Sequence, residues 1–249
     1  LIAGDFNAIR MPLTTTYRCP KTVVAFAQRW VSHIHAHESA PEGSVSTIAY
    51  KDLFERNDLD ANSAVLCRLN APLVTLAFAL IRRGIACKVE GRDIGSGLIK
   101  LATKWKGAVT LYGLESRMHK WGEAQVTRAM VQKKETLAQS ILDQILTLQV
   151  IIDDCRERGQ DSVTAVVNRI KDIFEDNVTG ILTLSSIHKS KGREWPTVFW
   201  LDRVGTCPSR FARQAWQEEQ ENNLCYVAAT RAMNTLIDVR YGAVDTTRA

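Results

Sequence analysis

No apolar run in the sequence approaches the roughly 18 residues that a membrane-spanning helix needs. The first ten residues, LIAGDFNAIR, also lack the basic start and long apolar stretch of a signal peptide. No membrane partner is expected, and a soluble, cytoplasmic protein is. The cysteines at 19, 67, 87, 155, 207 and 225 form no C-x-x-C pair, and the five histidines do not supply the missing ligands. A zinc knuckle or a thioredoxin-type centre is therefore unsupported, and no metal site is expected. A chain of 249 residues needs no disulfide staples, so the six cysteines read as free, buried thiols. Repeats and low-complexity tracts are missing as well. A charged fraction of 24%, divided between 32 basic and 27 acidic residues, excludes disorder and supercharged tails.

What is present is a globular composition, 45% hydrophobic, sufficient for one large or two small domains. The net charge of +5 suits a nucleic-acid partner without requiring one. Along the chain, the spacing predicts a helix from Lys21 to His35, a strand in VSTIAY and a fully buried strand at 64–69, AVLCRL. APLVTLAFALIRRG reads as an amphipathic helix stopped by Gly84, ahead of a short strand in IACKVEG. From about 98 to 178 the composition shifts to Lys, Gln, Glu and Leu, with long helical periodicity in RAMVQKKETLAQSILDQILTLQVIIDDCRERG and again in SVTAVVNRIKDIFED. Strand signals return in GILTLSSIH and TVFWLD, then a helix ending in LCYVAATRA and a last strand, TLIDVRY. The expected organisation is one α/β domain, residues 1–97 and 179–249, interrupted by a helical insertion over 98–178.

Four segments say more than their secondary structure requires: TTTYRCP at 14–20, VLCRLN at 65–70, SSIHKSKGREW at 185–195 and LCYVAATRA at 224–232. Each also has a purely structural reading. Tyr17 and Arg18 could be a satisfied aromatic and a surface ion pair, and Arg68 and Asn70 a capped strand end. Arg231 sits near a helix C-terminus, where the dipole favours a cation by ~0.3–1 kcal/mol. His188, Lys189, Lys191 and Arg193 could form a solvated basic loop around Gly192, whose missing side chain would let a phosphate or sugar come close. Glu194, a carboxylate among these cations, should pair with one of them or accept from a ligand hydroxyl. The loop follows a buried strand, where open α/β sheets place ligand contacts.

Taken in order, the four segments resemble the C-terminal half of a superfamily 1 DNA helicase of the UvrD/Rep type. That family carries a Tyr-Arg before a helix, a strand ending in x-x-R-x-N, a T/S-x-H-x-x-K-G-x-E loop and a final Y-V-A-x-T-R-A. The resemblance covers about 14–240 apart from the helical stretch. It implies a RecA-like parallel sheet flanked by helices, the second of two motor domains, with ATP bound in the cleft between them.

Carried over residue by residue, Arg18 and Arg231 match the arginines that reach the γ-phosphate. A guanidinium in that role neutralises charge spread over the γ-oxygens, and an arginine finger is worth ~10³–10⁵ in rate. Tyr17 matches a base-stacking aromatic, and Glu194, with Gly192 in the same loop, the nucleotide-binding carboxylate motif. Arg68, Asn70, Ser186 and His188 match positions that contact the backbone of single-stranded DNA. Lys191 is grouped with them, though nucleotide or loop support is an equal reading of it.

No G-x-x-x-x-G-K-[ST] and no acidic Walker B run occur, so the groups that hold the β/γ-phosphates and Mg²⁺ are expected in a partner N-terminal motor domain, and this chain alone is expected to be inactive. The opening LIAGDFNAIR resembles a shortened G-D-x-x-Q-A-I-Y, with Gly4 and Asp5 in place and Asn7 at or beside the glutamine. The competing expectation is a non-hydrolysing nucleic-acid-binding or adaptor module that keeps the helicase fold.

Overall fold

The computed structural model describes residues 13–174 and 180–241. The opening Gly4–Asn7 segment lies outside them. The centre is a six-stranded, all-parallel sheet in the order β3-β8-β7-β4-β6-β5. Its strands are β3 (Ser44–Ala49), β4 (Ser63–Cys67), β5 (Cys87–Val89), β6 (Leu182–Ser186), β7 (Trp195–Leu201) and β8 (Ala232–Arg240). A separate two-stranded parallel ladder joins β1 (Thr15–Thr16) to β2 (His35–Ala36).

Burial explains the order. Every residue of β4 and β6 is buried, as expected for central strands covered on both faces, whereas β3 alternates and forms an edge. Because successive side chains point to opposite faces, each central strand feeds two cores. Val65, Cys67, Leu184, Phe199, Leu201, Ile237 and Val239 belong to one, and Ala64, Leu66, Val198, Trp200 and Leu236 to the other. The second core is closed by α1 (Lys21–Ala27) and, seven helices later in the chain, by α8 (Ala215–Ala229). The first is closed by α2 (Asn70–Arg82), α3 (Arg92–Ala102), α4 (Leu111–Val131), α5 (Glu135–Glu157) and α6 (Val163–Ile173). A short helix, α7 (Arg203–Thr206), follows β7.

The helical stretch therefore shares the core of the sheet: Met118, Leu148, Ile152 and Ile170 lie in one cluster with Leu73 and Val65. The long periodic segment read from the sequence is broken. α4 ends at Val131, Lys133 adopts a left-handed conformation (φ 54°), and α5 begins at Glu135. A continuous helix would leave two apolar stripes in water, and folding back buries both. Gly122 permits the close crossing, since a Cβ there would stand 2.1 Å from Ile145 Cδ1. The first helix is also shorter than its periodicity implies. It stops at Ala27 so that the chain can turn and lay His35–Ala36 against β1, a turn held by Gln28 Nε2 donating to the Ile34 carbonyl at 3.0 Å. α2 ends just before Gly84, as its pattern predicts.

The six cysteines are free, with Cys87 the one that is not fully buried. No helix among the described residues is long and apolar enough to cross a membrane.

Asp154 on α5 ties three elements together. Its side chain is 2% exposed and accepts from Arg82 Nη2 (3.2 Å), Arg158 Nε (2.9 Å) and Arg169 Nε (2.8 Å). Arg169 in turn lies over the Phe78 ring at 4.7 Å. Burial pushes the Asp154 carboxyl upward, but Arg169, Arg82 and Arg158 outweigh it and hold it below the usual range. Its stabilisation is thus present above the unfolded-state value near ~3.9 and lost as the pH falls below that. Asp154→Ala is expected to cost about 3 kcal/mol in urea denaturation, because it strands the largely covered guanidinium of Arg169, whose Nη2 already has no partner. Asp153→Ala, at a half-exposed carboxylate, should stay within about 1 kcal/mol.

Candidate nucleotide and nucleic-acid site

A sheet packed on both faces can present polar side chains only at its strand ends, and the motif residues collect there in two groups. Arg68 follows β4, and Ser186 closes β6 with His188 two residues on. Glu194 directly precedes β7 and Arg231 directly precedes β8, with Trp195 N donating to the Arg231 carbonyl at 3.0 Å. In a parallel sheet these are opposite ends. The loop 187–194 connects them.

At the first end of this loop, Arg68, His188 and Lys191 line one cleft of about 480 Å³ between the loop, α5 and α8. The Arg68 side chain is 11% exposed and forms a paired contact with Glu221, its Nη2 donating to Oε1 at 2.9 Å and its Nε to Oε2 at 3.2 Å. Its Nη2 also donates to Gln139 Oε1 at 3.2 Å. Asn70 turns inward: its Nδ2 donates to Asp143 Oδ2 at 2.7 Å and its Oδ1 is buried without a partner. Ser186 is 6% exposed, and its Oγ accepts from the Lys189 backbone at 3.4 Å. Of the five residues matched to DNA contacts, three therefore share the cleft, and Asn70 and Ser186 are not part of its lining.

The basic loop is not uniformly solvated. Lys189 pairs with Asp93 at 2.6 Å and Arg193 with Glu90, whereas Lys191 makes no ion pair among the described residues. Gly192 has φ 85°, a conformation that side chains rarely adopt, and nothing lies within 4 Å of where its Cβ would be. The backbone turn, rather than crowding within this chain, is what requires glycine there.

At the other end, Arg18 Nε lies 2.8 Å from Glu194 Oε2, both half-exposed, so Glu194 takes its cation from outside its own loop. Arg231 is 8% exposed. Its Nε donates to the Val227 carbonyl (3.1 Å), its Nη1 to the Arg193 carbonyl (2.9 Å) and its Nη2 to Thr230 Oγ1 (3.4 Å). Burial and then the charge of Arg18 lower its pKa, while Cys19, Glu194 and Tyr226 oppose them. Two guanidinium groups thus lie within electrostatic reach of one carboxylate, a net positive site suited to phosphate oxygens. Tyr17 is 75% exposed, with one ring face stacked on His37 at 4.4 Å. No group of three or more His, Cys, Asp or Glu that could hold a metal exists among the described residues.

Sequence reasoning missed Glu221, Gln139, Asp143 and Ser209. Glu221 stood in view, three residues before Leu224 on the helix of the last motif. Gln139 and Asp143 lie in a polar helical stretch that no motif marked, and their signal was the spacing of polar residues at every fourth position.

The parallel α/β architecture, with polar residues gathered at its strand ends around a cleft and an arginine pair, defines a RecA-like domain. Residues 107–239, more than half of the chain, match the model of the UvrD-like helicase C-terminal domain, and the chain belongs to that family. It is 26% identical over 222 residues to the ATP-dependent DNA helicase UvrD2 of Mycobacterium tuberculosis, and equally to that of Mycobacterium bovis. Those alignments take in 81% of this chain, which spans 31% of the length of these relatives. The solved C-terminal domain of a possible DNA helicase from a Lactobacillus aligns over 93% of this chain and 91% of its own, at 13% identity and a TM-score of 0.42.

His188 reports on the cleft. Partial burial in the cleft wall, then the charges of Arg68 and Lys191, push its imidazole down to about 4 against the pull of Glu221, although its outer edge is exposed. The unfolded chain binds that proton first, near ~6.5, so this group's contribution to stability is complete above that pH and declines as the pH falls toward about 4. An NMR titration should find His188 neutral at pH 6, and Lys191→Ala should move its midpoint upward.

Proposed function

We propose that this chain is the second motor half of an ATP-dependent DNA helicase moving 3′ to 5′ along single-stranded DNA. In this reading ATP binds between the chain and a P-loop motor domain that precedes it. One observation carries the proposal: Arg18, Glu194 and Arg231, from three remote stretches of sequence, converge at one end of the sheet. The names of the mycobacterial relatives point the same way.

The residues fit the substrate. Arg18 is half-exposed and presents its planar donors beside a second guanidinium, which suits the oxygens of a triphosphate. The free face of Tyr17 suits a nucleobase without reading its identity. Glu194 holds Arg18 in place and offers an acceptor for a ribose hydroxyl. Arg231, buried and bonded to two carbonyls, contributes a fixed positive charge, which costs no reorganisation when charge develops nearby. Mg²⁺ ligands belong, on this reading, to the other half. Lys191, His188 and Arg68 would meet the backbone of single-stranded DNA in the cleft that they line.

The loop 187–194 joins the two groups of residues. A shift at Glu194 on closure of the interdomain cleft would be felt at His188 and Lys191 a few residues away, a two-state element that both ligands can bias. Contacts mainly to phosphates make affinity for DNA fall steeply with salt and depend little on sequence.

In the protein joined to its P-loop half, Arg18→Ala is expected to lower DNA-stimulated ATP hydrolysis by ~10³. Binding of an oligothymidylate should be retained. Arg18 is the cleaner variant, since Arg231→Ala would also break two carbonyl bonds. Near-normal turnover refutes the assignment, and DNA binding by a joined protein that never hydrolyses ATP makes the chain an adaptor.

A further inference from the structure

α5 carries a buried polar stripe, Glu135, Gln139, Asp143 and Thr147, at every fourth residue and therefore along one face of the helix. An apolar side chain at each position would serve packing equally well, so these polar groups need a reason. Their partners supply it. Gln139 Oε1 accepts from Arg68 Nη2 at 3.2 Å and from Ser209 Oγ at 2.8 Å. Asp143 accepts from Asn70 Nδ2 at 2.7 Å, from Asn70 N at 2.9 Å and from Ala71 N at 3.2 Å, so it caps α2 from another helix. Thr147 Oγ1 donates to the Asp143 carbonyl at 2.6 Å, and Gln217 Nε2 donates to Glu135 Oε2 at 3.5 Å. Every partner but Thr147's lies on the cleft wall or directly behind it.

We propose that this stripe makes α5 the positioning element of the cleft: Gln139 orients the Arg68 guanidinium, and Asp143 fixes Asn70 and the start of α2. The helical stretch, whose Thr136 and Gln139 form part of the cleft wall, would then serve the nucleic-acid face by holding its arginine in place. This rests on the nucleic-acid reading of the cleft. Its physical content is preorganisation. Arg68 is a long side chain whose ordering would otherwise oppose binding, and Glu221 and Gln139 together hold it in one pose before any phosphate arrives. Glu221 supplies the charge partner and Gln139 a neutral acceptor, so a further orienting bond is made without a second negative charge in the cleft.

The test uses the 249-residue chain and a fluorescein-labelled oligothymidylate of about twenty nucleotides at low salt. Binding is read by anisotropy, the Arg68 side chain by its guanidinium resonances in ¹⁵N spectra, and folding by circular dichroism. Gln139→Leu keeps the volume and removes the acceptor. It is expected to weaken binding about two- to tenfold and to shift and broaden the Arg68 resonances in a folded chain. Gln139→Glu, which keeps the acceptor, should restore a sharp Arg68 signal. Asp143→Asn is the second variant, read by the Asn70 side-chain amide, should Gln139→Leu fail to fold. Unchanged Arg68 and Asn70 resonances in these variants overturn the proposal whatever the DNA affinity does. Altered resonances with no DNA binding by the unmodified chain leave the positioning in place and refute the nucleic-acid reading instead.

Discussion

A parallel sheet buried on both faces confines polar chemistry to the ends of its strands. Here two apolar clusters press on β4, β6, β7 and β8 from opposite sides, fed by alternate residues of the same strands. A charged group on either face would lose its hydration without a partner. Asp238 shows what such a group requires: it is 1% exposed and held by both Arg203 and Arg240. Charges free to meet a ligand have to emerge in the loops, and both groups of motif residues do.

The same constraint gives the loop 187–194 its importance. Because every strand of the sheet runs parallel, the chain must return from the end of β6 to the start of β7 on the far side of β4, and this return is made by a short polar segment rather than a helix. It runs past the cleft lined by Arg68, His188 and Lys191 and arrives at Glu194, which meets Arg18. Much of it is tethered: Lys189 to Asp93, Arg193 to Glu90, and the Arg193 carbonyl to Arg231. A connection this short, anchored at several points, holds its two ends in a fixed relation to each other.

Much of this was legible beforehand because strand burial and helix periodicity are local properties. The buried run at 64–69 marked β4, TVFWLD marked β7, and Gly84 marked the end of α2. Two elements misled. The helix expected through His35 stops at Ala27, since pairing of His35 with Thr15 is a long-range contact that local periodicity does not contain. The periodic segment across 128–159 breaks at Lys133, because only tertiary packing makes a helical hairpin better than one long helix.

By itself, the sequence determined which residue types stand next to which strand ends, and therefore where guanidinium, imidazole and carboxylate groups leave the core. Tertiary structure alone decided which of them meet. Arg18 and Glu194 are 176 positions apart and share an ion pair, while Asn70, written beside Arg68, turns away from the cleft toward Asp143. The reason is that a hydrogen bond or ion pair depends on a few ångströms of separation in space. Alternating burial fixes the face on which a side chain lies, and only the packing of α5 and α8 against that face sets the distance to its partner.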